Sequence, residues 1–161
     1  VLGVEVGLDS NGRKNRGGHL MEDVVENHLI NAGFKRDENY FKEMYLQDIE
    51  KRWNVDLSAL SNNGKAKKRF DFVVKTNNCI YAMETNFYGG FGGGSKLNET
   101  ARSYKMLAQE AQDIQNFKFV WITDGTAWRS ARNNLEETFD IMDNMYNLKE
   151  LEEGVFKQIL V

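Results

Sequence analysis

The stretch that most limits how this chain folds runs from Arg69 to Asn86. Phe70, Phe72, Val73 and Val74 form one run of strand formers, and Ile80, Tyr81, Ala82 and Met83 form another. Between them Thr76-Asn77-Asn78 supplies turn chemistry, because Asn tolerates positive φ. The pattern predicts an antiparallel hairpin. Asp71 stands near the start of its first strand, and Glu84 and Asn86 stand near the end of the second. Side chains alternate along a strand, so Glu84 and Asn86 share a face and Thr85 points away. The turn lets Asp71 and Glu84 approach each other. Carboxylates on a mostly apolar sheet are costly unless something compensates them. A hard divalent cation such as Mg²⁺ does so through oxygen ligands. An exposed Asp and an exposed Glu on the polar face of a hairpin account for the same spacing, so spacing alone leaves both readings open.

At 161 residues one domain with a real core is expected. No apolar run approaches the roughly 20 residues of a membrane span. The chain begins with Val1, shows no signal peptide and reads as a domain cut from a longer protein. A lone Cys79 excludes an internal disulfide framework and suits a reducing cytoplasm; its strand position marks it as core. The net charge of −3 gives no global argument for nucleic acid. Charge is uneven, however: Arg13-Lys14-Asn15-Arg16 and Lys65-Ala66-Lys67-Lys68-Arg69 are basic, and Leu135 to Glu153 is acidic. Local basic patches can hold phosphate, or simply be solvated loops.

Along the chain, Val1 to Leu8 reads as a weak strand, Asp9 to Gly12 as a turn and Arg13 to Gly18 as a loop. A helix is expected from about His19 to Ala32, with Leu20, Met21, Val24, Val25, His28, Leu29 and Ala32 as its apolar stripe and Gly33 ending it. Glu22 and Glu26 lie one turn apart on it; both are solvated, or Glu22 leans toward the hairpin as a third acidic group. His19 and His28 have no partner at metal-ligand spacing. Phe41 to Trp53 reads as a second helix, Val55 to Leu60 is ambiguous, and Ser61 to Gly64 is a loop. After the hairpin, five glycines between Gly89 and Gly94 allow close approach of backbone to a ligand. The Walker A pattern and a G-x-G-x-x-G opening a helix are both absent, so no nucleotide cofactor is expected. Ser95 is placed to cap a helix of about Lys96 to Gln112 that buries Leu97, Ala101, Tyr104, Leu107, Ala108 and Ala111. Phe117 to Thr123 reads as a buried strand, parallel to a neighbour across that helical crossover, and Asp124-Gly125 ends it. Trp128 to Arg132, Asn134 to Tyr146 and Leu148 to Val161 read as helices. The fold class is therefore α/β, a mixed sheet flanked by helices.

The order of elements and the hairpin motif resemble the PD-(D/E)XK nuclease superfamily. More closely, Leu2 to Gly18, Arg69-Phe-Asp-Phe72, Glu84-Thr-Asn-Phe-Tyr88 and Trp121-Ile-Thr-Asp-Gly125, in this order, resemble the DpnII/MboI family of type II restriction endonucleases over nearly the whole chain. The resemblance implies a restriction-endonuclease-like fold and Mg²⁺-dependent cleavage of double-stranded DNA at GATC by a homodimer. Full-length family members are longer, in keeping with one catalytic domain over residues 1–161 of a longer enzyme. Asp71 and Glu84 match the two acidic motif positions, and Asn86 occupies the lysine position. A neutral amide cannot take a proton. Asn86 is expected to orient the attacking water or a phosphate oxygen instead, or simply to cap the strand end, with Lys96 as the rival, a migrated lysine reaching back from the glycine loop.

In that chemistry Asp71 and Glu84 would be the metal ligands, the backbone carbonyl of Thr85 a third, and Glu22 a further one, directly or through a bound water. A metal so held activates water and stabilises charge at phosphorus. Lys67, Lys68 and Arg69 would hold the DNA backbone. Arg13, Lys14, Asn15 and Arg16 are candidates for base reading, since Arg pairs with guanine and Asn with adenine, although the same types suit phosphate contact. Two other functions compete: a repair or recombination nuclease of the same superfamily, and a DNA-binding module silenced by the missing lysine.

Overall fold

The apolar runs of the sequence lie side by side in one five-stranded mixed sheet. The structure, a computed structural model, describes residues 10–60, 68–89, 94–125, 128 and 142–161, with backbone alone at 10–19 and 94–96. Its elements are α1 (Ser10–Asn31), β1 (Tyr40–Tyr45), α2 (Leu46–Trp53), β2 (Arg69–Lys75), β3 (Ile80–Phe87), α3 (Gly94–Ala111), β4 (Phe117–Asp124), β5 (Met145–Tyr146), α4 (Leu148–Glu152) and α5 (Val155–Ile159). The strands are ordered β1-β2-β3-β4-β5. The first three are antiparallel neighbours, and β4 runs parallel to both β3 and β5. Helix α3 is the crossover that a parallel β3–β4 pair requires.

Each face of the sheet is covered. Met21, Val25 and Leu29 of α1 recur at helical spacing and close over Phe72, Val74, Tyr81, Met83, Val120 and Ile122, with Leu151 and Phe156 of α4 and α5 beside them. On the other face Leu97, Ala101, Leu107 and Ala111 of α3 meet Val73, Ala82, Phe119 and Trp121. Cys79 is buried, as expected, but it lies in the turn just before β3 and not within a strand. Among the described residues no helix is long and apolar enough to cross a membrane.

The hairpin is as expected, but its turn works differently. Neither Asn77 nor Asn78 has positive φ. The Thr76 hydroxyl oxygen instead accepts the backbone N–H of Asn78 and of Cys79, at 3.2 and 3.1 Å. Other expectations are corrected. Phe41 to Trp53 is not one helix: its first part is the edge strand β1, whose aromatic residues pair with β2, and the helix begins only at Leu46. Residues 13–18 are helical backbone within α1, because the apolar stripe downstream extends a helix that polar residues at its start do not interrupt. Ser95 lies inside α3 instead of capping it. Met145 and Tyr146 form β5, since beside β4 the open edge offers them backbone partners. Val55 to Leu60 has no regular structure and contributes the buried Leu57 and Leu60. The expectations for residues 1–8, 61–64 and 129–141 lie outside the described residues.

Candidate active site

The site forms where the β2–β3 ladder ends. Regular pairing runs from Lys75↔Ile80 to Phe72↔Met83 and goes no further. The next pair by that register is Asp71 with Glu84. Beyond the break, the Asp71 carboxylate replaces a backbone acceptor: its Oδ2 receives the N–H of Thr85 at 2.8 Å and the Thr85 hydroxyl at 3.2 Å. Thr85 therefore does not simply point away, as alternation implied; its hydroxyl turns to Asp71. On the opposite side of β2, the residue facing Asp71 is Glu43, which adopts φ 53°. Side-chain alternation resets there in both strands. Phe72 packs with α1, yet Phe70, two residues away, packs on Phe119 under α3. Likewise Lys42 lies over Phe72 toward α1, and Met44 joins the α3 side. Asp71 thus sits at a twist in the sheet, where regular pairing has been given up.

Glu84 follows Ala82 on the α3 face and is only 5% exposed. Burial, and next to it the neighbouring Asp71, push its carboxyl up from the usual 4.5 to about 8. Lys68 opposes this. Its ammonium lies 2.5 Å from Glu84 Oε1 and over the rings of Phe70 and Tyr104, 5.2 and 5.6 Å from their centroids. Tyr104, on α3, stacks edge-on against Phe119 and Trp121; burial and the two carboxylates push its hydroxyl upward, so it stays protonated.

Asn86 shares the Glu84 side as expected, but its amide is committed. Its Oδ1 accepts the Trp121 indole N–H at 2.7 Å, and the amide also hydrogen-bonds to Tyr104. Indole nitrogen is a donor only, which fixes the amide's orientation. The neighbouring Asp124-Gly125 is a clamp. Asp124 accepts the N–H groups of Gly125 and Leu148, at 2.7 and 3.0 Å. Gly125 has φ 127°, and a Cβ there would stand 1.9 Å from the Tyr88 carbonyl oxygen. Only glycine lets β4 end against the chain leaving β3.

Of the residues singled out in the sequence, the structure brings Asp71, Glu84, Thr85 and Asn86 together with Lys68, which the sequence had assigned to the DNA backbone. Its place three positions before Asp71, at the mouth of β2, was the signal for its contact with Glu84. Tyr104 read only as core. Arg69 is exposed and 4.0 Å from Glu43. Lys67 and the side chains of Arg13, Lys14, Asn15, Arg16 and Lys96 lie outside the described residues. Glu22 is half-buried on α1 and makes interactions of its own, but among the described residues no third His, Cys, Asp or Glu joins Asp71 and Glu84 in a metal-sized cluster. Glu26 is not simply solvated: it accepts from the Tyr40 hydroxyl at 3.0 Å and pairs with Lys42 at 3.4 Å.

A divalent cation fits this donor set. Two neighbouring carboxyl groups, one of them held from ionising first by its burial and then by the other, gain most from a hard cation that takes oxygen ligands.

A family model described as DpnII restriction endonuclease matches residues 1–158. The chain is 53% identical over 159 residues to the type II restriction enzyme DpnII of Streptococcus pneumoniae, covering 99% of this chain and 54% of that protein. It is 41% identical to the type II restriction enzyme MboI of Moraxella bovis, covering 99% and 51%, and 40% identical to the type II restriction enzyme MjaIII of Methanocaldococcus jannaschii, covering 99% and 54%. The chain spans about half the length of these relatives. On the family match and these identities, the chain belongs to the DpnII restriction endonuclease family.

Proposed function

We propose that this chain is the catalytic nuclease domain of a type II restriction endonuclease that cleaves double-stranded DNA at GATC with Mg²⁺, acting as a cytoplasmic homodimer. The observation that carries the reading is the Asp71–Glu84 pair at the open end of the hairpin, in a chain of this family. A two-fold dimer matches a palindromic site, because each protomer then meets the same half-site.

Asp71 and Glu84 would hold the cation, with the carbonyl of Thr85 as a third ligand. When bound, a divalent cation supplies an acidified water and charge neutralisation at the phosphate. The protein's own groups do the rest. Thr85 fixes the Asp71 carboxylate through two hydrogen bonds, and the sheet beneath keeps Glu84 from swinging away. A water oxygen bonds to phosphorus as the bond to the leaving oxygen breaks; the attacking water gives up one proton to solvent, and the leaving oxygen takes one from solvent. Arg13, Lys14, Asn15 and Arg16 contact base edges or phosphates, and Lys67 and Arg69 contact the backbone; their residue types support this.

The test is incubation of methylated and unmethylated plasmids with and without Mg²⁺. Discrete fragments whose ends map to GATC are expected. Cutting that follows DNA structure would make it a repair nuclease, and binding without cutting a non-catalytic module.

A further inference from the structure

We propose that Lys68 is the cationic catalytic residue of this site: its ammonium donates a hydrogen bond to Glu84 in the metal-free protein and moves onto the scissile phosphate when a divalent cation takes the carboxylates. The inference rests on the nuclease reading above and names the group that fills the role left open by Asn86.

Three observations support it. First, the ammonium is 2.5 Å from Glu84 Oε1, with the two side chains 21% and 7% exposed, so it lies within the carboxylate site. Second, it is positioned from both ends. The Lys68 carbonyl accepts the backbone N–H of Leu46 at 2.8 Å, which ties the residue to the start of α2, and the charged end rests over the faces of Phe70 and Tyr104. Third, Asn86 has its amide bound to Trp121 and Tyr104, which leaves it the framework of the site instead of its reagent.

A divalent cation and an ammonium on the same carboxylate oxygen repel, and the divalent charge is the greater. A lysine on a flexible four-carbon stem can yield that oxygen without moving its backbone. A phosphodiester entering the site offers fresh negative oxygens next to it. There the ammonium keeps all its protons and donates hydrogen bonds to a non-bridging oxygen and to the attacking water, steadying the charge that grows at phosphorus.

The experiment compares the parent protein with Lys68→Gln and Lys68→Met, the second keeping an apolar stem against the two rings. Near-UV circular dichroism and thermal melting report folding. Mn²⁺ binding without DNA is followed by electron paramagnetic resonance, and single-turnover cleavage is measured on a pre-bound GATC duplex at saturating Mg²⁺. Both variants should bind Mn²⁺ more tightly than the parent, because the competing ammonium is gone. Cleavage should nevertheless fall on the order of 10²-fold, the scale of one lost transition-state donor. Tighter metal binding with slower chemistry is a combination that a purely structural lysine does not produce. Cleavage at the parent's rate, or weaker Mn²⁺ binding by a folded variant, overturns the proposal; so does failure of both variants to fold. If the parent binds Mn²⁺ but cuts no DNA, the nuclease reading fails instead, and the Mn²⁺ comparison still tells whether Lys68 competes for the metal position.

Discussion

The two faces of the central sheet are built from the same strands but do opposite things with polarity. Under α1, the contacts of Met21, Val25 and Leu29 with Phe72, Val74, Met83 and Ile122 are apolar throughout, and polar pairs such as Glu26 with Tyr40 and Lys42 stay at the rim. Under α3, strand β3 carries Glu84 and Asn86 into partly buried space beside Lys68, just before β2, and Tyr104 of α3. The polar groups at the site are answered by one another: ammonium to carboxyl, indole to amide, backbone N–H to Asp71. The difference shows where a sheet can accommodate chemistry. It is the end of one face, where pairing between β2 and β3 has stopped and the alternation has reset around Asp71. The intact face supplies the stability on which that irregularity depends.

The largest effect that separates the faces is on chemistry. Asp71→Ala and Glu84→Ala should each lower single-turnover cleavage on the order of 10³-fold or more, beyond the loss of a single positioned donor, since each removes a charge that holds the cation. The fold should survive. Asp71→Ala leaves the Thr85 N–H without its acceptor, at about 1–3 kcal/mol. Glu84→Ala removes a buried carboxylate and leaves an ammonium that already reaches water. Melting curves and DNA binding in Ca²⁺ check this, and near-parental cleavage by either variant would leave the two carboxylates a structural pair with no part in cleavage.

The converse variant is Leu29→Ala on the α1 face. Leu29 is fully buried, so its truncation should cost about 2–5 kcal/mol of stability by chemical denaturation. Cleavage by the folded protein, measured well below the new melting temperature, should match the parent. A specific loss of cleavage there would mean that the two faces are coupled through Met83 and Glu84, neighbours on β3.

These assignments were partly legible in the sequence. The hairpin, the α3 crossover and β4 were readable because their apolar runs have strong local periods, and those same strands bear Asp71 and Glu84. Edge strand β1 was not. Tyr40 to Tyr45 mixes aromatic and charged residues in a pattern that also suits a helix, and only pairing with β2 decides it. Lys68 was visible as a charge but not as a partner, because its partner lies 16 residues away across a broken ladder. The contact that occupies the Asn86 amide turned on Trp121, a residue brought beside it only by the parallel pairing of β3 with β4.

The last contrast between the faces concerns pH. Glu84 folds with its carboxyl at about 8 against an ordinary 4.5, so between those values the folded protein holds a proton that the unfolded chain releases. Its stabilising contribution is complete below the unfolded value and is lost as pH rises through the folded one. The raised tyrosines and Cys79, several of them on the α1 face, titrate above this window, and Asp56, which is lowered, titrates below it. The metal-free protein in EDTA should therefore melt at progressively lower temperature from about pH 5 to about pH 8, and Glu84→Gln should remove that part of the slope. Ca²⁺ should raise the melting temperature more at the upper end than at the lower, because it binds the ionised carboxylate. Leu29→Ala should lower the whole curve while keeping its slope. If Glu84→Gln instead kept the parental slope, the titrating group would lie elsewhere, and the electrostatic difference between the two faces would have to be assigned to another residue.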